Sequence, residues 1–161
     1  MNTGSKIRFL QKHIDIAGAL CYNRFNKLVI DKGASMNFKV MAKNAVEYAE
    51  CDGIVLDWTR ESVLCVEKIL ISYRAKYSGQ KDAKWKLSSF SACYATYVGE
   101  LMLKKGLKKR GFLWETFSGI RNLPVLKCGD EEIPLWATAR KMVFEGADSG
   151  LCELYDQYLA P

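Results

Sequence analysis

A single histidine, His13, stands in a chain of 161 residues, and that scarcity removes several chemistries at once. A hydrolase built on a Ser-His or Cys-His pair would have to use His13, and nothing around it resembles a nucleophile site. The usual multi-histidine zinc site is out of reach for the same reason. Cysteines occur at 21, 51, 65, 93, 128 and 152 but never as a Cys-x-x-Cys pair. Most fall in apolar periodic patterns, where a thiol behaves as a small hydrophobe, so free thiols are expected, with no metal and no cofactor. No glycine-rich phosphate loop is present, because "VGELMLKKG" lacks the Walker spacing and its trailing Ser or Thr. No apolar run approaches the roughly 20 residues that span a bilayer. Lys12, His13 and Asp15 interrupt what would be the apolar section of a signal peptide. The expectation is a cytoplasmic protein that does not enter the membrane. Internal repeats and low-complexity tracts are also missing.

What the chain does have is enough apolar side chain for a core, at 49% hydrophobic against 26% charged. A single domain over residues 1–161 is expected, with roughly 70% of the unfolded chain's surface buried on folding. The formal net charge is +6, and it is unevenly distributed. Residues 1–44 carry eight basic against two acidic side chains, while residues 129–161 carry seven acidic against two basic. An electrically two-sided molecule follows if the fold keeps those segments apart.

Periodicity divides the chain into elements. Ile7, Leu10, Ile14, Ala17, Cys21, Phe25 and Leu28 recur at helical spacing between Ser5 and Ile30. A second helix is expected from Phe38 to Ala49. Ile54–Trp58 reads as a short extended segment, and Thr59 as the N-cap of a helix whose inner face is Val63, Val66, Ile69, Leu70 and Tyr73, with Glu61 in its first turn. "SGQKDAKWK" reads as a polar loop, after which Ser88 or Ser89 caps a helix with Phe90, Tyr94, Tyr97, Val98 and Leu101 inside. That helix runs out at "KKGLKKR", with Gly106 near its C-terminus. "FLWETF" and "LPVLKC" read as strands, and "GDEE" as a turn ahead of "IPLW". A helix from Leu135 to Glu145 follows, broken by Gly146, and Asp148 or Ser149 caps a last helix ending near Leu159. The fold class is thus α+β, mainly helical, with a small antiparallel sheet of two or three strands over about residues 112–136. Core candidates are Trp58, Val66, Leu70, Tyr97, Leu101, Trp114 and Val125.

Two sets of charges stand out as binding surfaces. The basic set is Lys84, Lys104, Lys105, Lys108, Lys109 and Arg110, supported by Lys81 and Lys86, with Trp85 and Phe112 nearby in sequence to stack on bases. As a nucleic-acid or ribonucleoprotein module, residues 81–112 would bind in a salt-dependent way. The bland reading is a solvated helix end, where cations oppose the negative end of the helix dipole. Glu67 and Glu100 fall in apolar helical stretches. Facing carboxylates can divide acid and base work when burial separates them, but a lone buried Glu more commonly accepts hydrogen bonds from backbone, Trp or Arg. Trp114 and Lys141 are the expected partners of Glu100.

Three segments in order, "GIVLDWTRESVLCVEKIL", then "YATYVGELMLKK" with "FLWETF", then "LPVLKCGDEEIPLWATARKMVFEGADSGLCELYD", resemble a family of small uncharacterised bacterial α+β domains. The residues that carry the likeness are Gly53, Leu56, Asp57, Glu61, Ser62 and Glu67, then Gly99, Glu100 and Trp114, then Lys141, Gly146, Asp148 and Ser149. The likeness covers residues 53–161 and leaves residues 1–50 as a variable N-terminal part. "KKGLKKRG" is longer and more basic than the family pattern. Members stand alone or beside secreted bacterial toxins as immunity proteins, so the resemblance implies a binding role and no reaction. It implies a cognate protein toxin as partner. For a nuclease toxin with a basic substrate cleft, an acidic face made of Asp130, Glu131 and Glu132 in the turn and Asp148, Glu153 and Asp156 on the last helix would be the contact surface. For an acidic toxin the lysine cluster takes that role.

Overall fold

The computed structural model describes residues 36–118 and 123–160; the helix expected over Ser5–Ile30, and His13 within it, lie outside them. The first described helix, α1 (Phe38–Cys51), starts where the Asn37 side chain accepts a hydrogen bond from the Val40 N–H at 3.1 Å, an ordinary N-cap. Its buried face is Met41, Ala42, Ala45 and Ala49. Three alanines on that face let α1 lie close against its neighbour.

An extended segment, Ile54–Asp57, leads to Trp58, whose φ of +63° is the only left-handed value of a non-glycine residue among those described. Helix α2 (Arg60–Tyr77) follows and buries Val63, Val66, Ile69, Leu70 and Tyr73 as the periodicity expects. Thr59 occupies the N-cap position, but its hydroxyl turns back to donate to Asp57 at 2.6 Å and caps nothing.

Helix α3 (Ala83–Met102) begins five residues before Ser88, so Ser88 and Ser89 are interior residues and Asp82 holds the N-cap position. "AKWK" is polar, but Ala and Lys are strong helix formers, and polarity concealed the first turn. Every residue of α3 from Ser89 to Met102 is buried. It is the central post of the molecule, packed by α1 on one side and by the later helices on others. Past Met102 the helix widens into a π-type turn, Leu103–Leu107, where the Lys108 N–H reaches the Leu103 carbonyl at 3.2 Å, and Gly106 at φ +142° lets the chain leave.

Three antiparallel strands in the order β1 (Leu113–Ser118), β2 (Leu123–Cys128) and β3 (Glu131–Ile133) form the sheet, which with the helices makes the fold α+β. Leu126 pairs with Trp114 on one side and Ile133 on the other. Glu131 and Glu132 belong to β3 and not to the turn, which is Gly129 and Asp130. Helix α4 (Leu135–Phe144) stops before Gly146, at φ +78°, and α5 (Leu151–Leu159) closes the described chain. Asp148 and Ser149 precede α5 and neither caps it; Gly150 is at its N-cap position. Of the core candidates, Val66, Leu70, Tyr97, Leu101 and Val125 are buried, while Trp58 and Trp114 are half-buried at the edge of the core.

Candidate functional site

Where α3 ends, a set of side chains from distant parts of the sequence converges. Gly99 has no side chain because the Trp114 ring lies on it: a Cβ there would sit 2.3 Å from the indole. The ring's Nε1–H then donates to Glu100 Oε1 at 2.8 Å. Phe38 of α1 stacks on Trp114, with ring centroids 4.5 Å apart. The Gly-Glu step in α3 is therefore a seat for Trp114 followed by the acceptor that fixes it. Lys141, the other expected partner of Glu100, is exposed on α4.

One turn earlier, Tyr97 organises the Trp58 bend. Its hydroxyl accepts the Trp58 backbone N–H at 2.9 Å and meets Ser62 Oγ at 2.8 Å, and the two rings lie 4.6 Å apart. Burial pushes the Tyr97 phenol up and the Ser62 hydrogen bond partly offsets this, so the group stays a neutral hydroxyl. Beside it, the Thr59 hydroxyl holds the Asp57 carboxyl below its ordinary value. The Lys104 ammonium lies 3.5 Å from the centroid of the Trp58 ring, within cation–π range.

Between these residues and α1 opens a cleft of about 430 Å³ lined by Lys39, Ala42, Lys43, Val46, Trp58, Glu100 and Lys104. Its rim is cationic and its floor carries an aromatic ring and one carboxylate. Glu100 is only 8% exposed, and among the described residues its side chain takes one hydrogen bond, from Trp114. Its carboxylate, an acceptor of several hydrogen bonds when ionised, lines the cleft. Nothing in the linear sequence joins Lys39 and Lys43 to Glu100 and Trp58; the small-residue face of α1 was the one available signal.

Glu67 has a different occupation. Its Oε1 accepts the N–H groups of Gly150 and Cys152, each at 3.0 Å, so a carboxylate from α2 caps α5, where negative charge is favoured. Glu67 and Glu100 thus serve separate sites. Burial pushes the neighbouring Cys152 thiol up to about 12, far from a reactive thiolate. Cys51, Cys65, Cys93, Cys128 and Cys152 are all free thiols, and no group of three metal-ligating side chains occurs among the described residues.

The charged sets fare unequally. Asp148 pairs with Arg74 at 2.8 Å. Asp156 receives Arg60 through two guanidinium nitrogens, which holds its carboxyl below the ordinary value and raises the Arg60 guanidinium further. Glu132 pairs with Lys127 at 3.3 Å, and Glu153 accepts from Ser149 at 2.8 Å. Asp130 and Glu131 are exposed at the β2–β3 end, with Glu131 near Tyr158. Arg110 donates to the Tyr158 carbonyl at 2.8 Å, so the acidic and basic sets adjoin there. Lys84 lies in the first turn of α3 and Lys104 just beyond its last. A 20-residue helix separates them by about 30 Å, so Lys81, Lys84 and Lys86 form no common patch with the C-terminal lysines. Lys104, Lys105, Lys108 and Lys109 are exposed and in no ion pair with described residues.

No family model matches this chain, and no curated protein or solved structure matches it. No helix among the described residues is long and apolar enough to cross a membrane.

Proposed function

We propose that this protein is a binding protein of the immunity type, acting in the cytoplasm without covalent chemistry, which covers an acidic surface of a cognate toxin domain with the lysines beyond α3. The observation that carries the reading is the contrast in charge use. Asp148 and Asp156 are tied to Arg74 and Arg60, and Glu132 to Lys127, whereas Lys105, Lys108 and Lys109 project from a turn anchored by the buried Leu107 and Phe112. Free charge on a rigid support is what steers a partner and excludes wrong ones. The resemblance of residues 53–161 to immunity-type domains supports the choice of a toxin as partner.

The test is rescue of growth in cells that express a toxic domain encoded beside this gene. Co-expression of the wild-type chain restores growth, and the Lys105→Glu, Lys108→Glu, Lys109→Glu triple variant does not. Reversal of Asp130, Glu131 and Glu153 leaves rescue intact. If the acidic reversal abolishes rescue and the basic one does not, the contact face is the opposite one. A neighbourhood with no toxin, together with a purified chain that captures no secreted toxic domain, overturns the reading.

A further inference from the structure

We propose that the cleft between α1, Trp58 and the end of α3 is a binding site for a nucleoside phosphate, with its base edge on Glu100 and its phosphate between Lys39, Lys43 and Lys104. This inference stands apart from the partner reading, which concerns the lysines of the turn beyond.

The cleft asks for a ligand of two characters. Glu100 is more than nine-tenths buried, lines the cleft and takes one hydrogen bond from the described residues, that of Trp114, so its carboxylate keeps acceptor capacity for a ligand N–H presented at the floor. Lys39, Lys43 and Lys104 around the mouth disfavour a cationic donor and favour an anionic group next to a neutral one. Amino-bearing bases with an attached phosphate have that arrangement: adenine N6 and cytosine N4 each offer N–H donors on one edge. Trp58 supplies the stacking surface, worth a good part of base binding in sequence-tolerant sites. Lys104 lies over that ring, so a base stacking there requires this exposed side chain to turn toward the phosphate. The volume of about 430 Å³ falls within the size range of small-molecule sites. Trp58 is held in a left-handed backbone conformation by Tyr97, and strain of that kind gathers at ligand-binding positions.

The same unit can arrive free or within a single strand, so the full chain is titrated calorimetrically with AMP, CMP and UMP, with a tetra-adenylate, and with inorganic phosphate and pyrophosphate. AMP and CMP are expected to bind more tightly than UMP, and phosphate and pyrophosphate far more weakly. A tetra-adenylate tighter than AMP identifies a strand as the source; equal or weaker binding identifies the free nucleotide. Glu100→Gln keeps the carbonyl for Trp114 and turns an amide N–H₂ into the cleft. It should weaken AMP and CMP on the order of tenfold and shift preference to UMP, which offers acceptors. Lys39→Ala with Lys43→Ala, both on the exposed side of α1, should weaken all nucleotides and flatten their salt dependence. Pyrophosphate binding as tightly as AMP, binding indifferent to Glu100→Gln, or no nucleotide binding at all overturns the proposal. Each of these outcomes is independent of growth rescue.

Discussion

At the scale of single residues, close approach explains more of this molecule than charge does. Gly99 is the clearest case, because the Trp114 indole lies where any side chain would stand. Alanine is the better helix former by about 1 kcal/mol, so on propensity alone Gly99→Ala would stabilise α3. The collision decides otherwise: with backbone on one side and an aromatic ring stacked on Phe38 on the other, neither can yield cheaply. Overpacking of this kind costs about 1–3 kcal/mol, and displacing Trp114 also breaks its bond to Glu100. We expect Gly99→Ala to lower stability by about 3 kcal/mol in urea denaturation and to shift Trp emission to the red in the folded state. An unchanged midpoint would mean that Trp114 does not rest on Gly99. Cysteine reactivity is another property of single residues. Cys51 is exposed whereas Cys93 and Cys152 are buried, and burial holds the Cys152 thiol up at about 12. Iodoacetamide at pH 8 should therefore label Cys51 quickly and leave Cys93 and Cys152 unlabelled until denaturant is added, as read by peptide mass spectrometry.

At the scale of elements, α5 depends on α2. It has no side-chain cap of its own, and Glu67 satisfies two of its N-terminal N–H groups from across the interface. Glu67→Ala leaves both without an acceptor in a buried site and should cost about 3 kcal/mol; Glu67→Gln retains the accepting oxygen and should cost about 1 kcal/mol. The second tie is Arg60 to Asp156. The Asp156 carboxyl is held below its ordinary value of 3.8 by Arg60. Its contribution is therefore complete above that value and is lost as pH falls through the depressed one. Asp156→Asn should accordingly be less stable than wild type at neutral pH, with the gap closing below about pH 4; a gap independent of pH would remove the ion pair from the account.

These ties also show why the elements were legible in the sequence when their connections were not. Helical spacing located α1, α2, α4 and α5 within a few residues, because each has one apolar face and a polar one. It missed the first turn of α3, which is buried on all sides further along and begins in lysines. Asp148 and Asp156 looked like surface charges because their arginines lie 74 and 96 residues away. A pairing that distant leaves no periodic trace. The cleft was invisible for the same reason, since Lys39, Trp58 and Glu100 come from three elements with no common spacing.

At the scale of the whole molecule, the question is whether these elements fold as one body. Two aromatic groups sit along α3. Near its start, Tyr73, Tyr77 and Phe90 interlock, with Tyr94 beside Tyr73. Near its end, Trp58 rests on Tyr97 and Trp114 on Phe38, and beside Tyr97 the Trp136 indole donates to Thr96 at 3.0 Å. Were the two ends separately stable, each would need its own core. Instead a single buried cluster runs from Met41 and Ala45 through Leu70, Val98 and Leu101 to Met142 and Leu151, and α3 is common to both ends. Disrupting either end exposes the same helix, which few other contacts would then hold. Denaturant unfolding should therefore be all-or-none for the described part of the chain. Tyrosine second-derivative absorbance, to which the first group contributes Tyr73, Tyr77 and Tyr94, and tryptophan emission, to which the second contributes Trp58 and Trp114, are expected to give superimposable transitions in urea. Two separated midpoints would show that α3 unfolds in halves and that the cleft at its end belongs to an independently stable unit.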